Sequence, residues 1–303
     1  MSTLQESRTV ERKSKVKTLD EAFSVVKDGM KLSMTTTHYN SVPMAGVRQI
    51  IRQRVKNLTL IPTPSTGLAI DLLIAAGCLD TVFASYVGLE FLGLAPNFRR
   101  AVEAKKVKVR ESDEASLVMG YRAGASGIPF MAMPKYYELT DLPKANPESF
   151  RRITDPYTGE PCYAVPALNP DVAVIHVQEC DPYGNARQLG GNHMEGIIAK
   201  AAKHVIITTE QVRPVEETRA QPTRTTVPGI IVNSVVEVPF GAHPGACPAR
   251  YSYDRVHLQM YADLAKEGRT DEYIQEFVFG PANHGAYLDK IGASRLMALR
   301  TEY

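Results

Sequence analysis

The chain has 303 residues, 44% of them hydrophobic and 22% charged, with a net charge of +2 at pH 7. This is the composition of an ordinary globular protein that buries a sizeable core, and the near-neutral balance gives no pull toward nucleic acid or anionic lipid. No stretch approaches the roughly 18 apolar residues of a membrane helix, no leader opens the chain, and Cys78, Cys162, Cys180 and Cys247 form no CxxC pair, so reduced thiols and a cytoplasmic protein are expected.

Residues 1–17, with Arg8, Arg12, Lys13, Lys15 and Lys17, read as a basic, solvated, disordered tail, and 18–303 as one α/β domain. Thr18-Leu-Asp-Glu21 is a capping box that opens a first helix. Lys31 to Met34 is a strand, followed by the polar segment TTTHYNSVP and a helix that buries Val47, Ile50 and Ile51. A strand at Leu58 to Ile61, a helix from Gly67 to Ala76 and a strand at Thr81 to Ser85 come next, then the loop Tyr86-Val-Gly-Leu-Glu90 and a helix from Pro96. Lys106 to Arg110 alternates as a half-buried strand should. It runs into Glu111-Ser112-Asp113-Glu114, where Ser112 is a plausible N-cap and Asp113 and Glu114 fill the first turn of a helix carrying Leu117, Val118 and Tyr121. Ile128 to Met133 is a further strand.

Residues 134–166 are rich in proline, tyrosine and charge and lack periodicity, which predicts an irregular excursion or lid. Asp171 to Val177 is a buried strand leading to the turn Asp181-Pro-Tyr-Gly-Asn185. A helix at His193 to Lys203, a strand at His204 to Thr209, paired β segments across Val227 to Gly245 and a helical segment from Arg250 complete the chain. Strands alternating with helices of this length predict an open, mainly parallel sheet with helices on both faces.

GxGxxG, GxxxxGK[ST], HExxH and GxSxG are all missing, so the sequence offers no dinucleotide, P-loop, zincin or α/β-hydrolase signature. His176, Glu179, Cys180 and Asp181 straddle a strand end and point to different faces, so buried strand residues and turn formers fit better than metal ligands, and no metal is expected. His38, in a polar loop at a strand's carboxyl end, suits a hydrogen bond to a substrate carboxylate or thioester oxygen, or simply solvent. His243, among turn residues, reads as structural. Arg213, Arg219 and Arg224 suit phosphates, a solvated loop or a subunit contact. The carboxylates of Glu111 to Glu114 sit at a strand-to-helix junction, where open α/β sheets bind ligands and where acidic residues also serve as ordinary helix starts.

The segments ITTEQVRPVEETR (Ile207 to Arg219), TVPGIIVNSVVEVPFGAHPG (Thr226 to Gly245), HVQECDPYGNA (His176 to Ala186) and DGMKLSMTTTHYNSVP resemble class I coenzyme A-transferases, in particular their glutaconate-type A subunits, over nearly the whole chain. The resemblance implies a CoA thioester as substrate, no permanently bound cofactor, and a B subunit of similar fold, often in an A2B2 assembly. It also implies a B-subunit glutamate that attacks the acyl-CoA, giving an anhydride and then a glutamyl-CoA thioester before CoA passes to the acceptor acid. In the family that nucleophile stands in a Glu-x-Gly context, and no glutamate here has glycine two residues later. This chain is therefore expected to form the facing wall, with Thr37, His38 and Asn40, Tyr86 and Gly88, and Glu111 as substrate-binding candidates. A ring-opening hydrolase branch places a catalytic glutamate in an Asp-Glu pair on its A subunit. Asp113-Glu114 matches that pair, with Ala115 departing from the glycine expected next, and makes Glu114 the catalytic candidate for a hydrolase or C–C lyase. A third branch decarboxylates with a B-subunit cysteine, and a chain that serves assembly without chemistry is a further alternative.

Overall fold

The computed structural model describes residues 12–301. Thr18 caps α1 (Leu19–Phe23), with Glu21 returning the hydrogen bond as the capping box requires. Then come β1 (Lys31–Met34), α2 (Met44–Arg52), β2 (Leu58–Pro62), the short β3 (Ser65–Thr66), α3 (Leu68–Ala75), β4 (Leu79–Ala84), the short β5 (Tyr86–Val87), α4 (Pro96–Glu103) and β6 (Lys108–Glu111). Next are α5 (Glu114–Ala125), β7 (Phe130–Met133), α6 (Leu142–Ala145), β8 (Arg151–Thr154), β9 (Pro161–Pro166), β10 (Val172–Cys180) and β11 (Ala186–Arg187). The chain closes with α7 (Glu195–Ala201), β12 (His204–Val212), α8 (Val215–Ala220), β13 (Ser234–Glu237), α9 (Arg255–Lys266), α10 (Thr270–Ile274), α11 (His284–Ile291) and α12 (Ala293–Ala298).

The main sheet runs β13-β12-β10-β1-β2-β4-β6, every neighbouring pair parallel, with β11 antiparallel beside β10. Alternation in β10 shows why both faces are covered. Val172 and Val174 join the core under α1–α4, α9 and α10, while Ala173, Ile175 and Val177 join the core under α5 and α7. The open, mainly parallel sheet with helices on both faces is therefore as the alternation predicts. Asp71 of α3 ties one face together: its buried carboxylate accepts from Phe98 N (2.8 Å), Asn97 Nδ2 (2.8 Å) and Tyr261 Oη (2.7 Å).

Five expectations need correction. The N-cap of α5 is Asp113, whose Oδ1 accepts from Ser116 N, and not Ser112; Glu114 is the first helical residue. The strand near Ile128 leaves the main sheet, because β7 pairs antiparallel with β9, and β9 with β8. The excursion 134–166 thus carries two strands and two short helices around Met133, Tyr137, Phe150 and Val165, a small core that irregular spacing concealed. Val227 to Gly245 contributes one strand, parallel to β12, and then turns. Of the basic tail, 1–11 lie outside the described residues. Residues 12–17 are tied down: Val16 bridges in parallel to Val235, and Lys15 Nζ donates to the carbonyls of Gly229 and Val232, 2.6 Å each. Among the described residues no helix is long and apolar enough to cross a membrane.

From β1 the chain steps outward through β2, β4 and β6, then returns to the other side of β1 as β10 and steps out to β12 and β13. Connections after β1 and β10 leave in opposite directions, which opens a crevice at the carboxyl ends of the strands.

Stability is set partly by buried imidazoles of the C-terminal helices. Burial lowers His257 to about 3 and His284 to about 4, with the charges of neighbouring cationic groups acting in the same direction. Unfolded imidazoles take up protons below about 6.5, and the folded ones do not until about 4 and 3. The unfolded state then binds more protons, so stability is full above pH 6.5 and falls as pH drops below it, by up to roughly 1.4 kcal/mol per pH unit for each imidazole. Urea midpoints between pH 7.5 and 4.5 check this; a flat profile would contradict it.

Candidate active site

The loop after β1 is rigid on both sides. Thr36 N and Oγ1 meet Thr63 Oγ1 at 3.0 and 2.9 Å, joining the ends of β1 and β2. Tyr39 Oη donates to Leu89 O at 2.5 Å, and Tyr39 O accepts from Ala246 N at 2.7 Å. Between these anchors His38 and Ser41 adopt left-handed φ of +51° and +50°. Residues other than glycine take that conformation at a cost, as Arg54, Asn57, Lys105, Phe240 and Ala249 also do in this chain, and such strain is found clustered at functional sites.

The second wall is the β3–β5 pair. Gly88 N donates to Thr66 O, and Gly67 approaches Gly88 so closely that a Cβ there would fall on the Gly88 carbonyl oxygen. Glu90 follows, also left-handed at φ +51°, and its Oε1 lies 2.6 Å from His38 Nδ1. Tyr86 is 41% exposed. Partial burial, followed by the charge and hydrogen bond of Glu90, holds its phenol above the ordinary value. Phe91 packs on Tyr39 and Tyr253, with the Arg255 guanidinium 5.0 Å above its ring.

The third wall begins where β6 ends in Glu111, which is exposed. Asp113 is committed to structure: Oδ1 takes Ser116 N at 2.9 Å and Oδ2 takes Tyr137 Oη at 2.7 Å. Glu114 is exposed, and Ser65 Oγ lies 3.5 Å from its Oε1. Asp113→Ala removes the cap and the Tyr137 acceptor together and is expected to cost about 1–2 kcal/mol. Thermal denaturation beside Asp113→Asn, which keeps a capping oxygen, measures it.

The structure thus brings His38 and Tyr86 to Glu90, and ties the β3–β5 pair to Glu114 through Ser65. Thr37 and Asn40 flank His38, with Asn40 N donating to Thr37 O. Glu111 stands apart, at the end of the edge strand. Sequence reasoning missed Ser65, and nothing local marks it. It placed Glu90 in a candidate loop without its partner, 52 positions away.

The grouping His176, Glu179, Cys180 and Asp181 does not converge. Glu179 pairs with Arg250 at 2.9 Å, and Asp181 accepts from Tyr183 N, Asn185 N and Asn185 Nδ2 in its turn. His176 faces Glu210 instead, Nε2 to Oε1 at 2.9 Å. Glu210 also accepts from Tyr251 Oη (2.6 Å), Phe240 N (2.6 Å) and Gly241 N (2.9 Å). Burial alone would raise Glu210; hydrogen bonds from His176, Tyr251 and Phe240 outweigh it and hold the carboxyl low. Cys247 lies beside this group, and burial pushes its thiol well above the ordinary range, against a role as thiolate. His243 is buried between Tyr287 Oη (2.7 Å) and Asp254 Oδ2 (3.1 Å). Arg213 pairs with Glu217, and Arg224 donates to Gln221 Oε1.

Comparison with known proteins agrees with this architecture. A family model described as coenzyme A transferase matches residues 16–238. The chain is 33% identical to the A subunit of glutaconate CoA-transferase from Acidaminococcus fermentans, over 95% of each chain. The crystal structure of glutaconate coenzyme A-transferase from that organism superposes with a TM-score of 0.88 at 32% identity, covering 95% of this chain and 96% of the other. Identity is 35% to the A subunit of 3-oxoadipate CoA-transferase from Pseudomonas knackmussii, over 92% of this chain and 98% of that one. It is 29% to the cholesterol ring-cleaving hydrolase IpdA subunit of Rhodococcus jostii, over 89% and 92%. With a family match across most of its length and the same fold as a solved member, the chain belongs to the coenzyme A transferase family.

Proposed function

We propose that the chain is the A subunit of a heteromeric, cytoplasmic coenzyme A-transferase that moves CoA between an acyl-CoA and a dicarboxylic or related acid. The observation that carries this is its whole-length similarity to A subunits whose names give glutaconate and 3-oxoadipate, both dicarboxylates, as substrates. In this reading the nucleophilic glutamate belongs to a B subunit, in an A2B2 assembly, because no Glu-x-Gly stands here. Exposed Phe91, Leu94 and Val256 beside the crevice support a partner that covers this rim. Thr37, His38, Asn40, Tyr86, Gly88 and Glu111 then bind substrate, and polar groups of the β1 and β5 loops stabilise charge on the thioester oxygen. The CoA thioester is substrate, not resident cofactor.

The test is to treat the chain, copurified with its partner, with acyl-CoA and then borohydride, and to locate the modified glutamate by mass spectrometry. A label on the partner supports the transferase reading; a label on this chain or on neither overturns it. The second reading, a hydrolase or C–C lyase acting on CoA thioesters through Glu114, is favoured by the exposure of that carboxylate beside Ser65 and by the similarity to a ring-cleaving hydrolase. Glu114→Gln abolishes turnover of the assembled enzyme in that reading, and in the transferase reading leaves CoA transfer measurable.

A further inference from the structure

His38 and Glu90 come from different loops, and both accept a left-handed backbone to meet at 2.6 Å. The loops that carry them are fixed by Thr36–Thr63 and Tyr39–Leu89 hydrogen bonds, and Phe91, next to Glu90, is held between Tyr39 and Tyr253. A surface ion pair contributes little stability, since water screens the charges and ordering two side chains offsets the attraction. Two strained residues within a clamped frame are therefore poorly accounted for by stability alone. The chemistry of the pair gives another account. A carboxylate at Nδ1 fixes the imidazole with its proton on that nitrogen and leaves Nε2 as an acceptor, the arrangement of an oriented general base. Nε2 has no protein partner among the described residues, and the His38 side chain is 44% exposed at the carboxyl ends of the strands. The transfer itself, in which a carboxylate and a thiolate exchange places, removes no proton, so it makes no use of a general base.

We propose that His38, oriented by Glu90, is a general base that activates water against the CoA thioester, giving the assembled enzyme an acyl-CoA hydrolase activity that runs without an acceptor acid. His38 Nε2 takes a proton from water as the water oxygen bonds to the thioester carbonyl carbon. The tetrahedral intermediate collapses with cleavage of the C–S bond, and the Nε2 proton passes to the departing sulfur, giving free CoA thiol and the carboxylic acid. The proposal rests on the reading that an acyl-CoA lies over this edge.

The experiment uses the chain assembled with its partner and glutaconyl-CoA or another dicarboxylyl-CoA as the probe. It follows thiol release without acceptor acid, and CoA transfer with one. His38→Gly is the informative variant, because glycine accepts a φ of +51° and leaves room for free imidazole. Acceptor-free hydrolysis is expected to fall about 10²-fold, the lower end of general-base contributions, and to recover severalfold on adding imidazole. A single turnover in ¹⁸O-water is expected to place one ¹⁸O in the released acid. Hydrolysis of a glutamyl-CoA intermediate instead puts the first label on the protein. Unchanged hydrolysis in His38→Gly, no imidazole rescue or an unlabelled first-turnover acid overturns the proposal while leaving the transferase reading standing. Failure of the wild-type complex to turn over any acyl-CoA with or without acceptor removes the underlying reading as well.

Discussion

Replacing Glu210 by alanine is expected to lower the stability of the folded chain by about 3–5 kcal/mol, the range for losing one partner of a buried charged network. Four donors converge on this one carboxylate: His176 from β10, Tyr251, and the backbone N–H groups of Phe240 and Gly241. All lose their acceptor at once, in surroundings that water reaches poorly. The turn after β13 and the segment leading into α9 are held to β12 through this residue, so the damage spreads to the packing of the C-terminal helices. Chemical denaturation gives the value, with a thermal midpoint lower by roughly 2 °C per kcal/mol. Glu210→Gln keeps shape and one acceptor and should lose less; equal losses would mean that volume, not the acceptor, dominates.

Gly67→Ala is expected to act on activity instead. The new Cβ would fall on the Gly88 carbonyl oxygen and 3.6 Å from a Leu89 side-chain carbon. Backbone cannot yield as a flexible side chain does, so the Tyr86 to Glu90 segment must shift. Glu90 then leaves its 2.6 Å contact with His38, and Tyr86 moves with it. A displacement of about 1 Å in such a wall costs roughly 10²-fold in rate. Initial rates of the assembled enzyme, compared with its thermal midpoint, separate this from unfolding: a large loss of rate with a small change in midpoint is the expected pattern. A wild-type rate would show that the β5 loop does not shape the site.

How much of this was legible in the sequence follows from the range of the interactions involved. Period-two and helical spacing are local, so the alternation of strands and helices from β1 to β6 is readable from residues such as Leu32, Val47 and Leu60. Caps are nearly local, and the error there was one residue, because Asp113 and Ser112 are both good caps and only Ser116 and Tyr137 decide between them. The antiparallel sheet of β7, β8 and β9 was hidden because its strands are short and half-exposed, with prolines at both ends of β9. Pairings such as His38 with Glu90 and His176 with Glu210 depend on strand order, which no local pattern encodes.

Residues 12–17 do more than extend the chain. A parallel sheet ending in a bare, apolar β13 would offer unpaired N–H and C=O groups to any extended peptide. Lys17 N donates to Val235 O and Val235 N to Lys15 O, so that side is already occupied by the chain's own beginning. At the opposite margin β6 exposes Lys108 and shows Arg110, both paired with Glu148 of the excursion, which places charge and a crossing segment where a stray strand would dock. The sheet is thereby guarded at both margins against sticking to its own kind. Trimming the first seventeen residues should leave the fold standing and make it prone to aggregate, visible as light scattering that rises with protein concentration.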